Sequence, residues 1–361
     1  MNLVVCSNRR EQRRVITRKH FMETTYTTTR RQFIGAAAVF AAGSGLAACG
    51  SEDEPKTGSA KSETPKLNAG HLVGGCMAPL FLADATGLFE DEGLSVKLNF
   101  FGNSGDNIAS LVAGATDVVH NPFSNTLFTK EKGQDLVIVA GSGKGGLELV
   151  ARAGVGVTSL DDLRAKKGTG LRIGTLRVNT LELTGFHLLK SEGLTYQDFE
   201  MVFFNDLLAL GQALINKDVD VSTVVQPYAA LVVKEAKGIY IGNNETAWGK
   251  NAPDCVITLK RTLVDREPDT VKRYLRAVLK ANDKIEEDFE TSFKALSAGK
   301  YFKVTGKTLA DGLKRQPPQV RLDDQAITAM DKGVEDMRAL GYLKRTKSSD
   351  VLSLDLLESV A

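Results

Sequence analysis

From Leu67 onward, short apolar runs alternate with segments whose apolar residues recur every three or four positions. Leu98 to Phe101, Val137 to Ala140, Arg172 to Thr175 and Met201 to Phe204 have the length and character of strands. Phe81, Ala85, Leu88 and Phe89, and then Ile108, Leu111, Val112 and Ala115, follow the period of an amphipathic helix. Val271, Tyr274, Leu275 and Val278 repeat that spacing behind Pro268, which suits a first helical turn after Asp265. A last helical stretch runs from Ile327 to Leu340 and stops at Gly341. Strands alternating with helices predict an α/β protein whose largely parallel sheet is covered on both faces.

The pattern also repeats. Glu92-Gly93-Leu94, Phe100-Phe101, Leu111, Asp117-Val118 and Pro122 have counterparts, in the same order, in Glu192-Gly193-Leu194, Phe203-Phe204, Leu214, Asp220-Val221 and Pro227. Two strand–helix–strand units of similar size predict two lobes. Gly154 to Thr158 and Asn243 to Pro253 read as the crossings between them. The expected division is 67–155 with 250–361 as a discontinuous first lobe and 156–249 as the second. A lobe made from both chain ends around a continuous insert has two hinge strands, a geometry suited to closing on a ligand.

Ahead of the folded body the pattern changes. Phe33 to Ala48 is an uncharged stretch directly after Thr29-Arg30-Arg31-Gln32, too short to span a bilayer and flanked like an export signal with paired arginines. Gly35, Gly43 and Gly45 argue against a lasting anchor helix. Leu46-Ala47-Ala48-Cys49 resembles the lipobox of bacterial lipoproteins, which implies removal of residues 1–48 and lipidation of Cys49. Met22 serves as well as Met1 for a start. Residues 49–66 carry no apolar period and read as a flexible tether.

Charge sharpens this division. The 361 residues hold 46 Lys+Arg and 44 Asp+Glu, but eight of the basic residues and only two of the acidic ones fall in residues 1–31. The remainder is mildly acidic, with no basic face for nucleic acid. The four cysteines are Cys6, Cys49, Cys76 and Cys255. With the first lost and the second lipidated, Cys76 and Cys255 are left in an oxidising compartment, either as a disulfide or as two buried thiols.

Taken in order, Ala78-Pro79-Leu80-Phe81-Leu82-Ala83, Gly87-Leu88-Phe89-Glu90-Asp91-Glu92-Gly93-Leu94-Ser95-Val96, Gly102 to Asp106, Leu111 to Asp117, Ser159-Leu160-Asp161-Asp162-Leu163 and Gly211 to Asp220 carry a resemblance over about residues 70 to 345. The chain resembles the periplasmic substrate-binding proteins of ABC importers for nitrate, sulfonate, taurine and pyrimidine precursors. The resemblance implies a type II binding-protein fold, two α/β lobes joined by two hinge strands, with a solute in the cleft. It implies a lipid-anchored, extracytoplasmic monomer that needs no cofactor and hands a small polar or anionic solute to a permease and its ATPase.

Carried onto this sequence, the cleft loops are Gly74 to Pro79, Gly102 to Asp106, His120 to Ser124, Leu176 to Thr180, Asn205-Asp206 and Gln226 to Tyr228. Candidate ligand contacts are therefore Pro79, Asn103, Ser104, His120, Asn121, Arg177, Asn179, Thr180, Asn205, Gln226 and Tyr228. The amides and hydroxyls give directional hydrogen bonds, and the Arg177 guanidinium offers a planar fork to an oxyanion. Each has a plainer reading: Ser104 and Asp106 as helix caps, Arg177 on a solvated rim, Phe123 and Tyr228 packed under the loops. His120 reads as a loop histidine, because His71 and His187 stand at no metal-ligand spacing from it, and no metal site is expected.

Two other function classes compete with this reading. An exported enzyme lacks a motif: Gly141-Ser142-Gly143-Lys144-Gly145-Gly146 fails as a phosphate loop, since Ile138 and Gly145 stand where Gly and Ser or Thr are required. Cys-x-x-Cys, His-Glu-x-x-His and Gly-x-Ser-x-Gly are missing too, as is the cysteine-rich iron motif of the fungal pyrimidine-precursor synthases that share this fold. No catalytic residue is expected. A lipid-anchored sensor that reports on its ligand is the alternative that the motifs leave open.

Overall fold

The computed structural model describes residues 64–361. The signal segment 1–48, Cys6, Cys49 and nearly all of the tether lie outside the described residues. Among the described residues no helix is long and apolar enough to cross a membrane.

Strands β1 (Lys66–His71), β2 (Ser95–Phe100), β3 (Val118–Pro122) and β4 (Leu136–Gly141) belong to a first five-stranded sheet, and β5 (Leu147–Ala151), β6 (Arg172–Leu176), β7 (Glu200–Phe204), β8 (Val221–Val225) and β9 (Ile239–Asn243) form a second. The chain then returns to the first sheet as β10 (Cys255–Lys260), giving the orders β2-β1-β3-β10-β4 and β7-β6-β8-β5-β9. β3, β4, β5 and β8 are buried along their whole length, as expected of continuous apolar runs such as Leu136-Val137-Ile138-Val139-Ala140. β2 and β7 lie at the edges and are partly exposed.

Two expectations need correction. The sheets are mixed, not largely parallel: β1 pairs parallel with β2 and β3, and β6 with β7 and β8, but β10 runs antiparallel to β3 and β4, and β5 to β8 and β9. The antiparallel strands are the two that carry the chain between sheets, entering each from the other. For the same reason the first crossing comes before Leu147 and not at 154–158. β5 lies inside 67–155 yet pairs wholly within the second sheet.

Helices α1 (Ala78–Ala85), α2 (Leu88–Asp91), α3 (Ser104–Ala113) and α4 (Phe123–Glu131) follow strands of the first sheet. α5 (Thr180–Ser191), α6 (Leu207–Ile215), α7 (Tyr228–Glu235) and α8 (Asn244–Trp248) follow strands of the second. Caps fix the starts that matter for the cleft. The Asn103 side chain accepts from the Asp106 N–H, Asn179 from Leu181, and Asp206 from Leu208 and Ala209. α3 ends at Gly114, whose φ of 77° is a left-handed conformation that favours glycine.

After β10 the chain is helical: α9 (Arg261–Arg266), α10 (Pro268–Glu287), α11 (Phe289–Ala298), α12 (Gly306–Arg315) and α13 (Asp324–Ala339). α10 buries the stripe Val271, Tyr274, Leu275 and Val278 against α1 and α2, with Tyr274 stacked on Phe89 at 5.2 Å. α12 packs on α7, and a Cβ on Gly312 would meet Pro227 at 2.5 Å, so only glycine permits this approach. α13 touches α4, α5 and α8, and there the single tryptophan, Trp248, is buried edge-on to Phe123 at 5.8 Å. Its indole N–H donates to Asp336 at 2.9 Å, and His187 and Lys190 of α5 reach the same carboxylate.

Candidate functional site

The two sheets face one another across a cleft of about 590 Å³. Its first wall is the start of α3 (Asn103, Ser104, Gly105 and Ile108) together with one stripe of α4 and its end, Asn125, Phe128, Thr129 and Lys132. The opposite wall is the turn after β6 (Leu176, Arg177 and Val178) and the turn after β7 (Phe204 and Asn205). The charged residues that line it are Lys132 and Arg177, one from each wall, and no carboxylate is among the lining residues.

Both cations are seated on aromatic rings. The Arg177 guanidinium carbon lies 3.6 Å from the Phe203 ring centroid, and Lys132 Nζ lies 3.9 Å from that of Phe128. Such seats restrict the side chains and leave polar edges for a ligand. The positive end of the α3 dipole adds to them at Ser104 and Gly105. Asn125 is only 6% exposed and its amide oxygen has no partner in the protein, so it offers a polar contact inside the cleft. The two cations and the helix end suit a small anion with oxygen atoms, and the Asn125 oxygen suits an N–H or O–H donor on the same solute.

Of the sequence candidates, Asn103, Ser104, Arg177 and Asn205 line the cleft. Asn179 and Thr180 sit deeper and tie the walls together. Asn179 Nδ2 donates to Ser104 Oγ at 3.0 Å, and Thr180 Oγ1 donates to Asp254 at 2.9 Å, just ahead of β10.

The others are held elsewhere. Pro79 is buried in the first turn of α1. Asn121 is fully buried and its Oδ1 accepts from Asn107. Gln226 donates to Glu148 and Tyr240, and its own oxygen accepts from the Ala230 N–H. Tyr228 is buried at the head of α7.

His120 departs furthest from a loop. It lies in the central strand β3, fully buried, with Nδ1 2.8 Å from Ser142 Oγ and Nε2 2.9 Å from Tyr274 Oη. Burial, with a smaller push from His71, lowers its pKa to about 3. The unfolded chain takes up this proton near pH 6.5 and the folded one only near 3, so the group's contribution to stability is complete above about pH 6.5 and is lost as pH falls towards 3. The melting temperature is expected to drop across that window, and His120→Gln to flatten the drop. Parallel profiles for the two proteins in calorimetric melts would contradict this.

The α4 stripe was not foreseen. Positions 125, 128, 129 and 132 have the spacing of one helix face, and in that face polar and charged residues accompany a single Phe, which is the signal that was available. Cys76 and Cys255 are both buried and free, with Sγ atoms 3.0 Å apart.

A model described as the NMT1-like family matches residues 60–298. The chain belongs to the NMT1-like family. A curated relative of this NMT1-like protein is YtlA of Bacillus subtilis, described only as a candidate binding protein, 23% identical over 213 residues. That match covers 58% of this chain and 62% of YtlA, so the chain spans under two thirds of its relative's length.

Solved structures match more widely. The nitrate-binding protein NrtA of Synechocystis PCC 6803 has a TM-score of 0.71 at 17% identity, covering 83% of this chain and 89% of its own. The ligand-binding component of an ABC-type import system from Staphylococcus aureus gives 0.71 at 17%, covering 82% and 99%. The alkanesulfonate-binding protein SsuA of Xanthomonas axonopodis pv. citri, solved with MOPS, gives 0.69 at 17%, covering 81% and 99%. At this identity the likeness establishes the fold: the NMT1-like chain has the two-lobed architecture of periplasmic binding proteins.

Proposed function

We propose that this protein is the solute-capturing component of an ABC-type import system and takes up a small oxyanion or zwitterion of the sulfonate, taurine or nitrate kind. The observation that carries the reading is the pair Lys132 and Arg177, facing one cleft from opposite walls with no carboxylate among the lining residues. An anionic group held by both offsets part of their charge and draws the lobes together. Cys49 then carries the lipid that keeps the protein at the outer face of a membrane, residues 49–66 give it reach, and the permease with its ATPase receives the solute. The family match and the fold support transport over catalysis, and no motif suggests an enzyme. Stimulation of the permease's ATPase by the loaded protein separates delivery from sensing.

A thermal-melt screen against alkanesulfonates, taurine, nitrate, bicarbonate and pyrimidines tests the proposal. A solute at a hundred times its dissociation constant stabilises by about 2.7 kcal/mol, which raises the melting temperature by roughly 5 to 10 °C for a body of this size. A shift with the oxyanions is the expected result. A cooperative melt that no anion moves, or that moves only with an uncharged heterocycle, would overturn the anion assignment.

A further inference from the structure

Cys76, Asp254 and Cys255 form a cluster that solute capture in the cleft does not use. Cys76 lies in the short turn before α1, and the other two lie at the start of β10, 179 positions on for the second sulfur. One ligand atom from each residue lies within 4.8 Å of the others, and all three side chains are buried. Beside them is a void of about 10 Å³, the room of a single water, whose walls include Asn179, which caps α5, and Leu181 in its first turn.

The Asp254 carboxylate accepts from Thr180 Oγ1 and from Gln316 Nε2, both at 2.9 Å. Both donors are neutral, and no cationic side chain pairs with Asp254 among the described residues. A buried carboxylate aimed at two sulfurs is costly to ionise without a positive charge beside it.

We propose that Cys76 Sγ, Cys255 Sγ and one oxygen of Asp254 bind a thiophilic divalent cation of the zinc class. Two sulfurs and a carboxylate oxygen make a donor set such a cation accepts, and the fourth position then faces the small void. Each sulfur–metal bond forms as its thiol proton leaves to solvent, so one cation meets three negative charges. Tetrahedral geometry asks the sulfurs to move from 3.0 Å to about 3.8 Å apart. Rotation of one thiol about its Cα–Cβ bond provides that.

Thr180 and Gln316 hold the carboxylate in place, the supporting role that donors take behind metal ligands. Thr180 starts α5, so the second lobe steadies a site whose ligands all belong to the first. A disulfide in the same place would instead remove both S–H donors and leave Asp254 buried against neutral groups alone. The carboxylate therefore favours a cation over a disulfide.

The test uses the full chain, reduced with a phosphine and stripped with a chelator, then titrated with Co²⁺. A near-ultraviolet thiolate-to-cobalt absorption that saturates at one ion per chain and is displaced by Zn²⁺ is expected. Cys76→Ser and Cys255→Ser should each lose most of that absorption. Asp254→Asn should keep sulfur absorption but bind Co²⁺ at least about tenfold more weakly. Thr180→Val, which leaves all three ligands, should keep the spectrum and weaken binding, and it decides the matter should the ligand variants fail to fold. Three results would overturn the site: no absorption from the reduced, cooperatively folded protein, full absorption in both serine variants, or a Cys76–Cys255 disulfide in the protein as isolated from the envelope.

Discussion

Arg177→Ala is expected to weaken binding of an anionic solute by about ten- to a hundredfold, since a hydrogen bond to a charged group contributes about 1.5–3 kcal/mol. The side chain follows β6 and rests on Phe203, so its orientation is set by its own lobe before a solute arrives. Lys132 faces it from the end of α4. Arg177→Lys should recover only part of the loss, because an ammonium keeps the charge but gives up the planar fork and the stacking. Calorimetric titration of the solute found in the melt screen measures both. Unchanged affinity in Arg177→Ala, with unchanged folding, would remove the guanidinium from the site and with it half the charge on which the anion reading depends.

Trp248→Ala should cost about 3–5 kcal/mol of stability, the range for deleting a large buried aromatic. The position concentrates several effects. The ring is 1% exposed and packs edge-on to Phe123, and its N–H reaches Asp336, itself 1% exposed. Removing it opens a cavity where α4, α8 and α13 meet and leaves that carboxylate to His187 and Lys190. For a body of this size the melting temperature should fall on the order of 10 °C. Trp248→Phe should lose less, since it keeps most of the packing and gives up only the donor. A fall of a degree or two in the alanine variant would mean that the junction repacks freely.

Much of this architecture is legible in the sequence because its signals are local. The run Leu136 to Ala140 is apolar at every position and becomes a strand buried along its whole length, while the stripe from Val271 to Val278 becomes the buried face of α10. The repeat around Glu92-Gly93-Leu94 and Glu192-Gly193-Leu194 falls before β2 and β7, one edge strand of each sheet. Partner choice is what the local pattern omits. Leu147 to Ala151 reads as a strand in any setting, and only its pairing with β8 and β9 assigns it to the second sheet.

The site divides along the same line. Asn103 and Arg177 stand in turns whose sequence already marks them as strand ends, and both line the cleft. His120 sits among residues that read as a polar loop, yet its environment is decided by Ser142 and by Tyr274, 154 positions away. Cys76 and Asp254 are likewise neighbours only through the closing of β10 onto β3.

Trp248 has one more consequence. As the only indole in the chain, it lies in α8, directly after the last strand of the second sheet, and presses on Phe123, which starts α4 on the first. Its fluorescence is thus an intrinsic, label-free probe of the packing between α8 and α4 and of the hydrogen bond to Asp336. Titration of the solute found in the melt screen, followed by this emission, asks whether the proposed closure reaches that junction.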